Sequence, residues 1–306
     1  MTHRFWLAAL GLTLALAVAP VWSWWPKGHA IITRGALLAL PSEVPAFFRN
    51  GGDLAAHLSY DPDVAKNRDT PNLRNAEDPE HYVDLELLAG TPLPPTRYQF
   101  LRLCGEKGLD PAKVGLVPYS TTEWTERLAV AFAEHRKWPN NRQIRTKCLV
   151  YAGILAHYAG DLCMPLHVTI HFNGRAKPDH SSPRTGIHER MDSLIERLDL
   201  KPADLAREQR VDAVPAIFPA VTGQIQNSFG KIDRVYEIEE QLPPRDEKAA
   251  WTAGPEARQL GQERGREAVR FLASLYLTAW KRSASLTLPP WLEREAGPAP
   301  SPAATR

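Results

Sequence analysis

The chain has 306 residues, 43% of them apolar, with 37 basic against 35 acidic side chains and a net charge of +2. That length allows an extensive buried core, and the near-neutral balance leaves no bulk field for polyanions, so any phosphate or nucleic-acid affinity must be local. A mean hydropathy of −0.34 fits a soluble globular protein and excludes a chain built mainly of membrane spans.

At the start, His3 and Arg4 precede an apolar run from Phe5 to Val18, followed by Ala19-Pro20-Val21-Trp22-Ser23. A charged start, a short apolar stretch and a small residue at 23 read as a secretory signal peptide over 1–23, removed on export. The expected location is therefore secreted or periplasmic, with Trp24 as the mature N-terminus and 36 basic against 35 acidic residues remaining. An exported chain permits disulfides. With three cysteines, a Cys104–Cys148 pair with Cys163 left in the core is the expectation.

His29 opens the apolar-periodic segment AIITRGALLAL, which Pro41 stops. A second helix is expected over Glu43 to Leu58, broken by Asp61-Pro62-Asp63, and the polar stretch after it reads as a loop by composition. Asp61 and Asp63 are both candidates for more than turn duty, because His81 follows in EDPEHYVDLELL. Pro92 to Pro95 reads as a linker and 96–104 as a short helix. Amphipathic periodicity then predicts helices over Glu123–His135 and Arg142–Leu162, joined by Trp138-Pro139-Asn140. Residues 165–187 read as an exposed loop in which His171 and His180 are weaker candidates. Further helices are expected over Ile187–Leu198, Pro202–Gln209, Asp212–Phe229, Lys231–Glu240 and Glu263–Arg282, before a loose Pro/Ser/Ala-rich tail at 283–306. The pattern is all-α: one multi-helix, bundle-like domain over 24–282, with no strand pattern long enough for a sheet core.

The chemistry concentrates in YAGILAHYAGDLCMPLHVTIHFNG and GIHERMD. His157 and Asp161 are four apart on a helix and so share one face. His188 and Asp192 repeat that spacing, and Pro165 turns the chain just before His167. Two helical His-x-x-x-Asp pairs with a histidine between them supply zinc's nitrogen and oxygen ligands. No glycine-rich phosphate loop and no serine or cysteine triad signature accompanies them.

Taken in order, WWPKGH, DPD, EHYVD, HYAGDLCMPLH and GIHERMD resemble the zinc-dependent phospholipases C of bacteria and their relatives, the fungal and plant single-strand-specific nucleases. The resemblance spans 24–192 and implies an all-helical fold with three zinc ions in one cleft. It implies that Asp63, His81, His157 and Asp161 hold the first ion, and that His167, His188 and Asp192 hold the second. The Trp24 amine and carbonyl, His29 and Asp161 would hold the third, with Asp161 as the bridge. Asp63 and Asp161 are then the residues nearest the chemistry, which is phosphodiester hydrolysis by metal-activated water. The substrate implied is a phospholipid head group or single-stranded nucleic acid, with transient membrane-surface contact and no obligate protein partner. Asp192 and PLHV match the nuclease form, whereas TIHFNG replaces its Asp/Gly/Asn-rich stretch, with Asn173 a partial stand-in. The competing class is a non-catalytic zinc-stabilised helical binding module of the cell envelope.

Overall fold

The fold comes from a computed structural model that describes residues 25–295. The expected signal segment 1–23, Trp24 and the last part of the tail lie outside the described residues. Among the described residues the regular structure is helical, with one isolated bridge between Phe172 and Gly174. No helix among them is long and apolar enough to cross a membrane.

The first helix, α1 (Pro26–Ala39), ends two residues before Pro41, the expected stop. The expected helix over Glu43–Leu58 is instead two pieces, α2 (Ala46–Arg49) and α3 (Gly52–Leu58). Pro45 sets the start of α2, and the Asn50-Gly51 turn separates the two pieces. The expected break at 61–63 is itself a helix, α4 (Asp61–Ala65), and the expected loop after it contains α5 (Pro71–Glu77). In both, proline occupies the first turn, where its missing N–H is not needed. Two tight helical turns, Asp78–His81 and Leu85–Leu88, lead to α6 (Arg97–Lys107) and α7 (Pro111–Val114).

The centre is a helical hairpin, α8 (Val117–Lys137) and α9 (Arg142–Asp161), with the Asn141 side chain capping α9 through Ile144 N at 3.0 Å. The expected helix over Ile187–Leu198 is split at Ser193 into α10 (Ile187–Asp192) and α11 (Leu194–Arg197). α12 (Pro202–Ala206) is followed by irregular chain, because Pro215 and Pro219 delay the next helix, α13, to Ile217–Phe229. α14 (Ile232–Glu237) precedes α15 (Pro255–Arg282), which begins eight residues before the expected Glu263. The hairpin, α15 and α1 make the most extensive helix–helix contacts. Phe48 sits edge-on between Phe132 of α8 and Tyr276 of α15, with ring centroids 4.8 and 5.3 Å away.

Two further expectations change. Cys104, Cys148 and Cys163 are all buried and free, so the Cys104–Cys148 pair is absent; each fills apolar core. The first part of the tail is anchored, since Leu288 and Leu292 pack on the core and the Asn141 amide donates to the Glu295 carbonyl at 2.8 Å.

One close approach decides how α3 meets α9. A Cβ on Gly153 would stand 2.6 Å from the Ala55 carbonyl oxygen and 2.7 Å from the Leu58 Cβ. The absent side chain lets α3 lie against α9 one turn before His157, which puts the Ser59 carbonyl 2.8 Å from His157 Nδ1. Gly153→Ala gains about 1 kcal/mol in helix propensity, but the backbone oxygen of Ala55 cannot yield. We expect a net loss of about 1–3 kcal/mol from overpacking, read as a lower urea midpoint; a midpoint at or above the parent's would contradict this packing.

Candidate metal centre

The buried end of α9 carries His157 and Asp161, both fully buried. Three helical turns deliver the other groups: α1 brings His29, α4 brings Asp63, and the turn after α5 brings His81. The Pro165–His167 turn and α10 complete the set with His167, His188 and Asp192. Their donor atoms fall into three groups, each within 4.8 Å: His29 with His157 and Asp161, Asp63 with His81 and His157, and His167 with His188 and Asp192. Every member is buried, and each group could hold a metal ion.

Asp161 stands between the groups. Its Oδ1 is 3.4 Å from His29 Nε2, while Oδ2 is 3.2 Å from His81 Nδ1 and 3.4 Å from His157 Nε2. One carboxylate thus turns a different oxygen to each of two neighbouring groups. Donors on one zinc at bond lengths near 2.0–2.1 Å stand roughly 3.3 Å apart at the tetrahedral angle, so these separations suit a shared cation. His157 is also shared, its ring stacked on His29 with centroids 4.2 Å apart.

The third group gives an independent test of fit. His188 Nε2 is 3.1 Å and His167 Nε2 3.7 Å from the oxygens of Asp192. None of these four buried atoms has a hydrogen-bond partner in acceptable geometry among the described residues. Orphaned buried polar atoms are costly, and a cation between them would satisfy all four.

Backbone carbonyls set three of the rings. His157 Nδ1 faces the Ser59 carbonyl at 2.8 Å, His167 Nδ1 that of His81 at 2.9 Å, and His188 Nδ1 that of Phe172 at 3.2 Å. A carbonyl can only accept, so each Nδ1 carries the proton and each Nε2 keeps a lone pair for a metal. The segment holding His81 is itself pinned: Val83 N donates to the His167 carbonyl at 2.9 Å, and Arg97 forks between Glu80 and Glu123.

Burial drives the pKa values of His29, His81 and His157 well below the usual imidazole range, and mutual repulsion adds to it. Lys66 pushes in the same direction on all three. These rings are neutral at pH 7, which is the state that binds metal. Burial opposes the charge on Asp192, but His188 and His167 more than offset it and hold that carboxyl below its ordinary value.

Not every sequence candidate joins the cluster. Asp61 lies about 200° around α4 from Asp63; it is half-buried and in none of the three groups. His171 Nδ1 accepts from Ala176 N at 2.9 Å inside its own loop, and His180 is exposed. Asn173 is spent on structure: its Oδ1 accepts from Gly186 N at 2.6 Å, fixing the positive φ of 89° from which α10 starts. Trp25 N approaches the Asp192 carbonyl at 3.5 Å, so the chain enters the described structure beside the third group.

Three participants carry no sequence signal. Lys66 places Nζ 2.6 Å from Asp63 Oδ1. Glu77 Oε1 lies 3.4 Å from His81 Nε2 and accepts a hydrogen bond from the Tyr158 hydroxyl. Lys66 and Glu77 sit in a stretch whose prolines and polar composition read as loop, and Tyr158 reads as one more residue of an amphipathic helix.

No protein-family model matches the chain, and no curated protein matches it. Among solved structures it is similar to the alpha-toxin of Clostridium perfringens from avian strain SWCP, at 13% identity and a TM-score of 0.41 over 88% of this chain. A second similar structure is the alpha toxin of Clostridium absonum, at 14% identity and a TM-score of 0.40, again over 88% of this chain. The match spans 66% and 68% of those chains, and a likeness this loose transfers no residue role.

Proposed function

We propose that this chain is an exported, zinc-dependent phosphodiester hydrolase. The observation that carries the reading is Asp161, buried and turned by its two oxygens toward two groups of neutral histidines, with a third His/His/Asp group beside them. Asp63, His81, His157 and Asp161 would hold one ion, and His167, His188 and Asp192 a second. His29 and Asp161 would hold the third, with the Trp24 amine as a further donor once residues 1–23 are removed. Such ions supply a Lewis acid and a water of lowered pKa.

The chain's own residues do the rest. Both Asp63 oxygens are buried, and the partly exposed Lys66 side chain that meets them lies at the edge of the cluster nearest solvent. Lys66 holds a positive charge against that edge, where it can draw in a phosphoryl oxygen and offset the charge that grows on it. Water activated at such ions would be the attacking group, so no protein nucleophile is required. The substrate class is a phosphodiester, from either a phospholipid head group or single-stranded nucleic acid.

The direct test is turnover of short-chain phospholipid and single-stranded DNA in parallel, before and after chelation and zinc return. Zinc-dependent hydrolysis of at least one substrate is expected, lost by at least about a hundredfold in His157→Ala, as for removal of a central catalytic group, and near normal in His180→Ala. Equal loss in both variants, or no turnover of either substrate by zinc-loaded protein, would sink the reading. Asp161→Ala should cost more bound zinc than Asp192→Ala, measured by elemental analysis, because it touches two groups.

A residue added before Trp24 replaces its amine with an amide, a poor ligand. Protein with an extra N-terminal methionine should fold and bind less zinc than protein starting at Trp24. Equal zinc content would remove the terminal amine from the site.

The pH dependence follows from the depressed imidazoles. Their unfolded counterparts take up protons below about pH 6.5 while the folded rings do not. Metal-free protein should therefore lose stability steadily as pH falls from about 6.5, with His135 contributing outside the cluster because burial lowers it to about 4. Urea midpoints at pH 7 and 5.5 should differ, and His135→Leu should shrink the difference without abolishing it. A midpoint unchanged over that range would mean the folded rings take up protons as readily as the unfolded ones.

A further inference from the structure

His81 is held differently from the other rings. His157, His167 and His188 each give Nδ1 to a backbone carbonyl and turn Nε2 inward. His81 is reversed. Its Nδ1 faces the cluster, 2.8 Å from His157 Nε2 and 3.2 Å from Asp161 Oδ2, and its Nε2 points outward to Glu77 Oε1 at 3.4 Å, within electrostatic reach but outside hydrogen-bond geometry.

The outward partner is itself held. Glu77 ends α5 and precedes His81 by four residues, across the turn Asp78–His81. The Tyr158 hydroxyl donates to the same Oε1 that faces His81. Tyr158 follows His157 on α9, and its ring lies edge-on to both histidines, with centroids 5.6 Å from His81 and 5.5 Å from His157. Burial raises the Glu77 pKa above the usual carboxylate range, and the Tyr158 hydrogen bond and the Lys66 charge oppose that rise and favour the carboxylate. A carboxylate behind a ligating histidine orients the ring, fixes its tautomer and raises its basicity.

We propose that Glu77, braced by Tyr158, is the positioning residue that fixes His81 as an Nδ1 ligand and so sets the metal affinity of the Asp63/His81/His157 group alone. The inference rests on the metal reading above. A backbone carbonyl cannot be changed by mutation, whereas this support is a side chain. The cluster therefore contains one group whose affinity can be altered from outside while the other two keep their donors. Glutamine at 77 would keep a polar side chain beside Nε2 but would lose the charge. Phenylalanine at 158 would leave the carboxylate in place and remove its brace.

The test uses the full chain starting at Trp24, loaded with zinc, with affinities read by competition against a chromophoric chelator. In Glu77→Ala, one equivalent should weaken by about 10- to 100-fold while the others hold. Glu77→Gln and Tyr158→Phe should fall between that variant and the parent. Nitrogen-15 NMR of the histidine rings supplies a readout that a loss of packing would not produce: among the zinc-bound rings, the parent should show His81 protonated at Nε2 and His157, His167 and His188 protonated at Nδ1. That signal should change in Glu77→Ala. Uniform weakening of all equivalents, unchanged affinity in all three variants, or a His81 ring protonated at Nδ1 would overturn the proposal while leaving the metal reading intact. A parent protein that binds no zinc would overturn both.

Discussion

The structure turns on one electrostatic constraint: Asp161 and Asp192 are fully buried, with Asp63 nearly so. Taking an isolated carboxylate out of water costs several kcal/mol even after the surroundings relax. Lys66 meets Asp63, and histidine nitrogens stand 3.2 Å from Asp161 and 3.1 Å from Asp192. Burial keeps His29, His81 and His157 neutral. A cluster of buried anions faced by neutral imidazole lone pairs is stable when cations sit between them, and it is poor design for a plain hydrophobic core.

The rest of the fold can be read as what holds that arrangement. α9 fixes His157 and Asp161 on a rigid helix, and the absent side chain at Gly153 brings the Ser59 carbonyl behind His157. The His81 carbonyl holds the His167 ring while the His167 carbonyl accepts from Val83, so two turns distant in sequence lock each other. Arg97, set between Glu80 and Glu123, fixes the residue just before His81. Donor positions are thus determined by helices and carbonyls rather than by flexible loops, which is what a site needs if its geometry is to persist.

Much of the site was legible because its spacing is local. His157/Asp161 and His188/Asp192 are i,i+4 pairs, and a helix turns that spacing into proximity without any knowledge of the tertiary fold. The all-α class was legible for the same reason. What stayed hidden depended on contacts between distant segments or on short elements. α4 and α5 have seven residues or fewer and carry proline in the first turn, so no periodicity could outweigh their loop-like composition. Lys66, Glu77 and Tyr158 became visible only when those helices were placed against α9. The start of α15 at Pro255 was missed because its first two turns are polar on most sides. Nothing local in the sequence around Cys104 and Cys148 shows that both point into apolar core.

The central claim is that cations occupy the space around Asp161. The most direct measurement is anomalous X-ray scattering at the zinc edge, from crystals of the protein beginning at Trp24 and grown with zinc. The account predicts three peaks in the cluster, two of them at about 2.0–2.2 Å from different oxygens of Asp161. Peaks confined to the surface, or none within bonding distance of Asp161, would contradict it.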